Sequence, residues 1–235
     1  LLGLGIPPPI SPGWVENFFS GLRSCSREHK TVLIGGDLSR SQMVVVSVTV
    51  LGRARRVVKR SGASPGDLIY VSGSPGDASF GLELLKQGDV PENHPHKSRL
   101  YQAFLDPRPR VELGLFLAEN NLASAMMDLS DGISCDLPRL CRMSHAGAEI
   151  MEEKVPVSAV LKQHSSRPLF YAIHGGEGYE LIFTVPPSKE KSIQEVKDKF
   201  RLSRIGHMTA SREIFLRRAD GSQSPLRQEG FDHFQ

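Results

Sequence analysis

Met126-Met127-Asp128-Leu129-Ser130-Asp131-Gly132 is the stretch on which the reading of this chain turns. It closes a largely apolar run, 122–127, with two carboxylates bracketing a serine and a glycine directly behind. An apolar run broken by a tight polar turn reads as a buried strand that delivers acidic groups to one edge of a sheet. Carboxylates at a strand end suit a hard cation such as Mg²⁺, which commonly keeps phosphate among its ligands. The segment also admits a plainer role, in which Asp131 caps the following helix and Asp128 faces solvent.

Beyond this turn a helix is expected to end before Gly147, with Pro138 forcing a late start or a bend. A loop-rich stretch to Pro168 leads to Gly175-Gly176-Glu177-Gly178-Tyr179-Glu180 and a strand over 181–185. Ser188 is placed to cap a helix with Ile193, Val196 and Phe200 on its buried side. Strands over 204–208 and 213–217 precede a tail, Gly230-Phe231-Asp232-His233-Phe234.

On the N-terminal side, Ser11-Pro12 opens a helix whose Trp14, Val15, Phe18, Phe19 and Leu22 share one apolar face to about Glu28. Residues 31–34 read as a strand ending in Gly35-Gly36-Asp37, and 43–51 as a strand buried on both faces. The polar, basic stretch 53–64 marks a domain junction. A strand over 66–73 and a helix over 78–87, stopped by Gly88, follow. A loop over 90–97 separates them from helices at 98–105 and 111–120. Strands and helices without regular βαβ alternation predict an α+β fold of layered mixed sheets with helices.

At 235 residues the chain can bury a sizeable core, as one large domain or two smaller ones. A net charge of +3 with interspersed signs gives no basic tract for nucleic acid, the cluster Arg53, Arg55, Arg56, Lys59 and Arg60 notwithstanding. No apolar run approaches the ~20 residues of a membrane span. Three cysteines, Cys25, Cys135 and Cys141, form no CxxC pair, and their odd number argues for a reduced, cytoplasmic setting. The chain starts without methionine, in Leu-Leu-Gly-Leu-Gly-Ile-Pro-Pro-Pro, with no basic leader or cleavage pattern. That opening is expected of a segment cut from a longer protein.

Two acidic turns flanked by glycine, Gly35-Gly36-Asp37 and Asp128-Leu129-Ser130-Asp131-Gly132, end strands; a third, Gly175-Gly176-Glu177-Gly178, precedes one. Glycines let backbone N–H groups approach phosphate, and carboxylates hold the accompanying metal. Singly each is an ordinary turn; together they favour a metal–phosphate site. Gly73-Ser74-Pro75-Gly76-Asp77 lacks the ending of a P-loop and reads as a tight strand-to-helix connection. Ser130 has no neighbouring histidine to make it a nucleophile, and Cys135 and Cys141 read as core. His94 and His96 read as a solvated loop pair, and His145, His174 and His207 as structural or surface residues.

Taken in order, these motifs resemble thiamine-monophosphate kinase along essentially the whole chain. The resemblance is carried by Gly35-Gly36-Asp37 with Ser39-Arg40, Arg60-Ser61-Gly62-Ala63 with Pro65-Gly66-Asp67, and the run 71–85. It continues through Pro107-Arg108-Pro109-Arg110, the Asp128–Gly132 motif with Asp136-Leu137, Gly175-Gly176-Glu177 with Tyr179-Glu180-Leu181, and the terminal Phe231-Asp232-His233-Phe234. The wider superfamily includes aminoimidazole ribonucleotide synthetase, selenophosphate synthetase and hydrogenase-maturation proteins.

The resemblance implies the end of an N-terminal ATP/Mg-binding domain over 1–52 and a complete synthetase-like C-terminal domain over 53–235. It implies transfer of the ATP γ-phosphoryl group to thiamine monophosphate, directly and in line, with Mg²⁺ offsetting the repulsion of two phosphates. By matched motif, Asp37 and Asp128 look like Mg²⁺ ligands and Asp131 like a ligand of a further Mg²⁺ at the reacting centre. Gly36, Asp37, Arg60 and Ser130 look like the ATP side of the site, and Glu177 and Phe231 like the thiamine side. A homodimer is implied for the full-length protein, with no nucleic-acid or membrane partner.

Three departures stand out. The family's acidic N-terminal segment is missing, so weak or no activity is expected of this chain by itself. Gly178 stands where the family commonly has aspartate, and Leu38 replaces a hydroxyl residue. The alternatives are a superfamily member with another phosphate acceptor and a non-catalytic nucleotide-binding remnant.

Overall fold

A computed structural model describes residues 1–88 and 97–229. The chain divides into two compact units, Leu1–Ala54 and Arg55–Gln235. The division falls inside the polar, basic stretch 53–64.

In the first unit, β1 (Leu2–Ile6) lies between β2 (Gly36–Arg40), to which it runs parallel, and β3 (Val45–Val48), to which it runs antiparallel. The helix α1 (Pro12–Glu28) begins where the sequence places it: Ser11 Oγ accepts from the Trp14 amide at 3.2 Å, with Pro12 in the first turn.

Two expectations fail here. Residues 31–34 form no strand, because the Thr31 amide is held at the end of α1 by the Ser26 carbonyl at 2.8 Å. The strand instead starts at Gly36, and Asp37 sits within it, in register with Gly3. The valine-rich segment forms only the four-residue β3, and its side chains are exposed. One helix with no fully buried residue cannot cover both faces of a three-stranded sheet. The apolar face of α1 is accordingly only half covered.

The second unit is built on a seven-stranded sheet. Its strands are β4 (Leu68–Ser72), β5 (Ala125–Leu129), β6 (Gly147–Met151), β7 (Glu180–Val185), β8 (Leu202–Thr209), β9 (Ile214–Arg217) and β10 (Gln223–Pro225). Their order is β10-β9-β6-β8-β4-β7-β5, antiparallel throughout except for the β6–β9 pair.

Fully buried β4 explains the layering. Ile69 and Val71 enter one core with Leu129, Ile133, Leu137 and Ile182, while Leu68 and Tyr70 enter a second with Leu113, Leu117, Phe183 and Ile193. Alternate side chains of a strand point to opposite faces, so a continuous apolar run serves both. The first core is closed by α5 (Ile133–Ser144) and α7 (Pro168–His174), the second by α4 (Val111–Glu119) and α8 (Glu190–Phe200). A third cluster joins α2 (Asp77–Lys86), α3 (Ser98–Leu105) and α6 (Ala159–His164) through Phe80, Leu84, Leu100, Tyr101 and Leu161. The α+β class with mixed sheets and helices is thus what the chain adopts.

Local details differ from the sequence reading. The stretch read as loop-rich, up to Pro168, contains β6 and α6, and α7 begins at its end, in a segment given no element from sequence. Helix α5 runs through Pro138, which forgoes one bond, to the carbonyl four residues back. Ser188 lies in a short 3₁₀ turn, and α8 starts after Lys189 without a side-chain cap.

Candidate active site

The turn after β5 positions the acidic groups. β5 is an edge strand, next to β7 in the sheet, and Asp128 is opposite Leu181. Asp128 is exposed and makes no side-chain hydrogen bond among the described residues. Asp131 does not cap the next helix: Gly132 occupies that position with no side-chain cap. Asp136, one turn into α5, instead accepts from the Asp131 amide at 2.9 Å through Oδ2. Arg139 lies one turn further, bonding Asp136 Oδ1 at 2.5 Å and also Asp131 Oδ2. Burial pushes the fully buried Asp136 carboxyl up, while the Asp131 amide and Arg139 oppose that shift. The turn is therefore a folded unit that leaves Asp131 Oδ1 and both Asp128 oxygens for other partners.

The glycine loop before β7 closes on the same turn. Glu177 N donates to Ser130 O at 2.8 Å and Tyr179 N to Leu129 O at 3.1 Å. A Cβ at Gly176 would collide with the Ser130 carbonyl, so this approach requires glycine. Glu177 and Tyr179 both adopt positive φ, 65° and 47°. Residues held in this sparsely populated region cluster at functional sites. The Tyr179 hydroxyl donates to Glu177 Oε2 at 3.3 Å. Burial raises the Tyr179 phenol above its usual value, and the carboxylates of Glu177, Asp128 and Asp131 raise it further. Of these carboxylates Glu177 touches the phenol directly, while Asp128 and Asp131 act on it through their charge.

Beside them opens a cavity of about 440 Å³. Ser130, Asp131 and Glu177 line it with Phe170, Tyr171 and His174. His174 accepts from or donates to Ser134 Oγ at 2.9 Å through Nδ1. Burial holds its imidazole below the ordinary range, with Arg167 adding to the effect and Glu229 opposing it. Glu180, the first residue of β7, anchors the loop: it is buried, accepts two bonds from Arg110 at 2.7 and 2.5 Å, and one from Ser72 Oγ at 2.5 Å.

Of the residues singled out from sequence, Ser130, Asp131 and Glu177 line this cavity together, and Asp128 lies on the same turn outside the lining. Arg60 is exposed on a segment laid beside β5, since Lys59 O accepts from Met126 N at 2.9 Å and Arg60 O from Ser144 Oγ at 3.2 Å. Gly36 and Asp37 belong to the first unit, where a Cβ at Gly36 would collide with the Leu2 carbonyl. Phe231, with the rest of the tail from Gly230, and His94 and His96 lie outside the described residues.

Sequence reasoning missed His174, Phe170 and Tyr171, although His174 directly precedes the glycine loop. It also missed Arg139, whose three-residue spacing from Asp136 was a readable ion-pair signal. Cys135 and Cys141 are buried, as core residues should be, and burial pushes the Cys141 thiol up to about 12.

For Mg²⁺ the donor chemistry is suitable: hard carboxylate oxygens at a strand end, those of Asp128 exposed. Among the described residues, no group of three or more His, Cys, Asp or Glu side chains converges as a complete metal cage. Mg²⁺ needs no such cage, since one or two carboxylates, water and phosphate complete its shell. Among the described residues no helix is long and apolar enough to cross a membrane.

This fold and site define an AIR synthase related protein: the N-terminal domain of that family matches residues 1–54 and its C-terminal domain residues 64–218. Within that class, the chain is 32% identical to thiamine-monophosphate kinase of Aquifex aeolicus, over 100% of this chain and 73% of the relative. It is 34% identical to the enzyme of the same name from Salmonella typhimurium, over 97% and 71%. A solved structure described as AaThiL complexed with AMPPCP and TMP superimposes with a TM-score of 0.86 at 32% identity, covering 100% of this chain and 72% of that one. The chain belongs to the thiamine-monophosphate kinase family.

Proposed function

We propose that this chain carries the phosphoryl-transfer site of a thiamine-monophosphate kinase, moving the γ-phosphoryl group of ATP directly and in line onto the phosphate of thiamine monophosphate. The observation that carries this reading is the closure of the glycine loop on the acidic turn, which sets Glu177 beside Ser130 and Asp131 at a cavity of about 440 Å³. A family relative bound to an ATP analogue and TMP supports it.

In this reading Asp128 and Asp131 hold Mg²⁺, and Asp37, in the first unit, is a Mg²⁺ ligand by its motif alone. The metal supplies positive charge that offsets the repulsion of two anionic reactants. Arg60 and Ser130 contact the nucleotide, and Gly36, in the first unit, is assigned to it by motif alone. Glu177 faces the thiamine portion, where a carboxylate complements a cationic ring, and Phe231 stacks on that portion. The 53–235 segment is the synthetase-like domain. The same reading implies a homodimer in the cytoplasm, without nucleic-acid or membrane partners.

Calorimetric titration tests the assignment. ADP is expected to bind only with Mg²⁺ present, and Asp128→Asn to weaken that binding at least tenfold. Glu177→Gln should spare ADP and weaken thiamine monophosphate. Metal-independent ADP binding, indifferent to Asp128→Asn, would overturn it.

A further inference from the structure

A second cavity, of about 390 Å³, lies on the other side of the glycine loop. The loop is shared: Glu177 lines the first cavity, whereas Gly178 and Glu180 line this one. Four arginines border it, Arg99, Arg108, Arg110 and Arg201. Three have carboxylate partners. Arg99 bonds the buried Asp77 at 3.1 Å, Arg110 bonds Glu180, and Arg108 lies 3.5 Å from Asp106. Among the described residues no carboxylate is within ion-pair distance of Arg201.

What distinguishes the cavity is where two of the cations point. Arg99 Nη2 and Arg201 Nη2 both donate to one neutral oxygen, Ser74 Oγ, at 3.1 and 3.3 Å. Two like charges converging on a hydroxyl repel; the Asp77 carboxylate bonds Arg99 and offsets part of that repulsion, and Arg201 has no carboxylate of its own among the described residues. Each guanidinium has five N–H donors. The bonds to Asp77 and Ser74 use two of those of Arg99, and the bond to Ser74 uses one of those of Arg201. The backbone of Arg201 is tied to the end of β4, since its carbonyl accepts from Gly73 N at 2.9 Å. Asp77 and Ala78, also in the lining, open the ten-residue α2, whose N-terminus adds partial positive charge.

We propose that this cavity binds a small phosphate-type anion without a metal, held by the Arg99–Arg201 pair over Ser74. Planar guanidinium forks match phosphate oxygens bidentately, and the volume accommodates a diphosphate with water. The site uses residues distinct from those of the proposed phosphoryl-transfer site.

The test is calorimetric titration of inorganic pyrophosphate in EDTA, at fixed ionic strength. Binding is expected, with affinity falling at least tenfold in Arg201→Gln. Gly178→Asp gives a second, independent variant: a Cβ there meets nothing within 4 Å, so the carboxylate is accommodated at the rim and should repel the anion. Glu177→Gln should leave pyrophosphate binding unchanged. Competition by metal-free ADP or thiamine monophosphate would identify a phosphate ester as the occupant, and its absence a free diphosphate; either supports the site. No pyrophosphate binding, or binding indifferent to both Arg201→Gln and Gly178→Asp, overturns the proposal. Because no Mg²⁺ is present, that result would leave the metal-dependent nucleotide reading standing.

Discussion

Replacing Arg110 by methionine isolates the anchor beneath the glycine loop. Glu180 has a side chain only 8% exposed, and two of its three side-chain hydrogen bonds come from Arg110. The variant leaves a buried carboxylate with Ser72 as its remaining side-chain donor. Removing one partner of a buried ion pair costs about 3–5 kcal/mol. The Arg110 side chain is 34% exposed, so water screens the pair and the lower end, about 3 kcal/mol, applies. For a unit of this size that corresponds to a drop of about 6–12 °C in unfolding temperature. Urea denaturation followed by tryptophan-independent far-UV circular dichroism reads the change. A double variant, Arg110→Met with Glu180→Gln, should recover about 1–2 kcal/mol, because the amide still accepts from Ser72 but carries no charge. A loss below about 1 kcal/mol in Arg110→Met, or no recovery in the double variant, would refute the reasoning.

His174 supplies a pH dependence. Its folded-state pKa lies below the unfolded one, so its contribution to stability is full above about pH 6.5 and is lost as pH falls through the folded value. The urea midpoint should therefore fall from pH 7.5 to pH 5, and fall less in His174→Gln. In thiol titration of the native protein at pH 8, exposed Cys25 should react within minutes, while buried Cys135 and Cys141 should react only in denaturant. Gly176→Ala should destabilise by about 1–3 kcal/mol and displace Glu177, because its Cβ meets the Ser130 carbonyl. Chemical denaturation, with thiamine monophosphate titration alongside, measures both effects.

Much of this architecture is written locally. The 66–73 run could be read as a strand because turn residues bound it at both ends, and 98–105 as a helix because its spacing is regular. The acidic turn was legible because an apolar run ends there. Other features depend on distant partners. That Asp131 engages Arg139 rather than capping α5 follows from how the turn meets the helix. His174, Phe170 and Tyr171 reach the cavity through a helix whose short pattern, 168–174, resembles loop. β6, Gly-Ala-Glu-Ile-Met, contains too few β-branched residues to announce itself. Conversely, β3 has the composition of a buried strand yet is exposed, since composition records a preference and not the presence of a covering layer.

The position of β4 has a kinetic consequence. Both of its neighbours are more than a hundred residues away along the chain: Leu68 pairs with Val185 on one side and His207 on the other. Such non-local pairing makes for slow folding, since loop closure comes before its reward. During synthesis at about 5–20 residues per second, β4 waits on the order of ten seconds for its last partner to emerge. Throughout that interval Ile69, Tyr70 and Val71, wholly enclosed in the finished sheet, form a bare strand with two open edges. The most protected segment of the native protein is thus its most vulnerable one on the ribosome, and the segment a chaperone would be expected to hold.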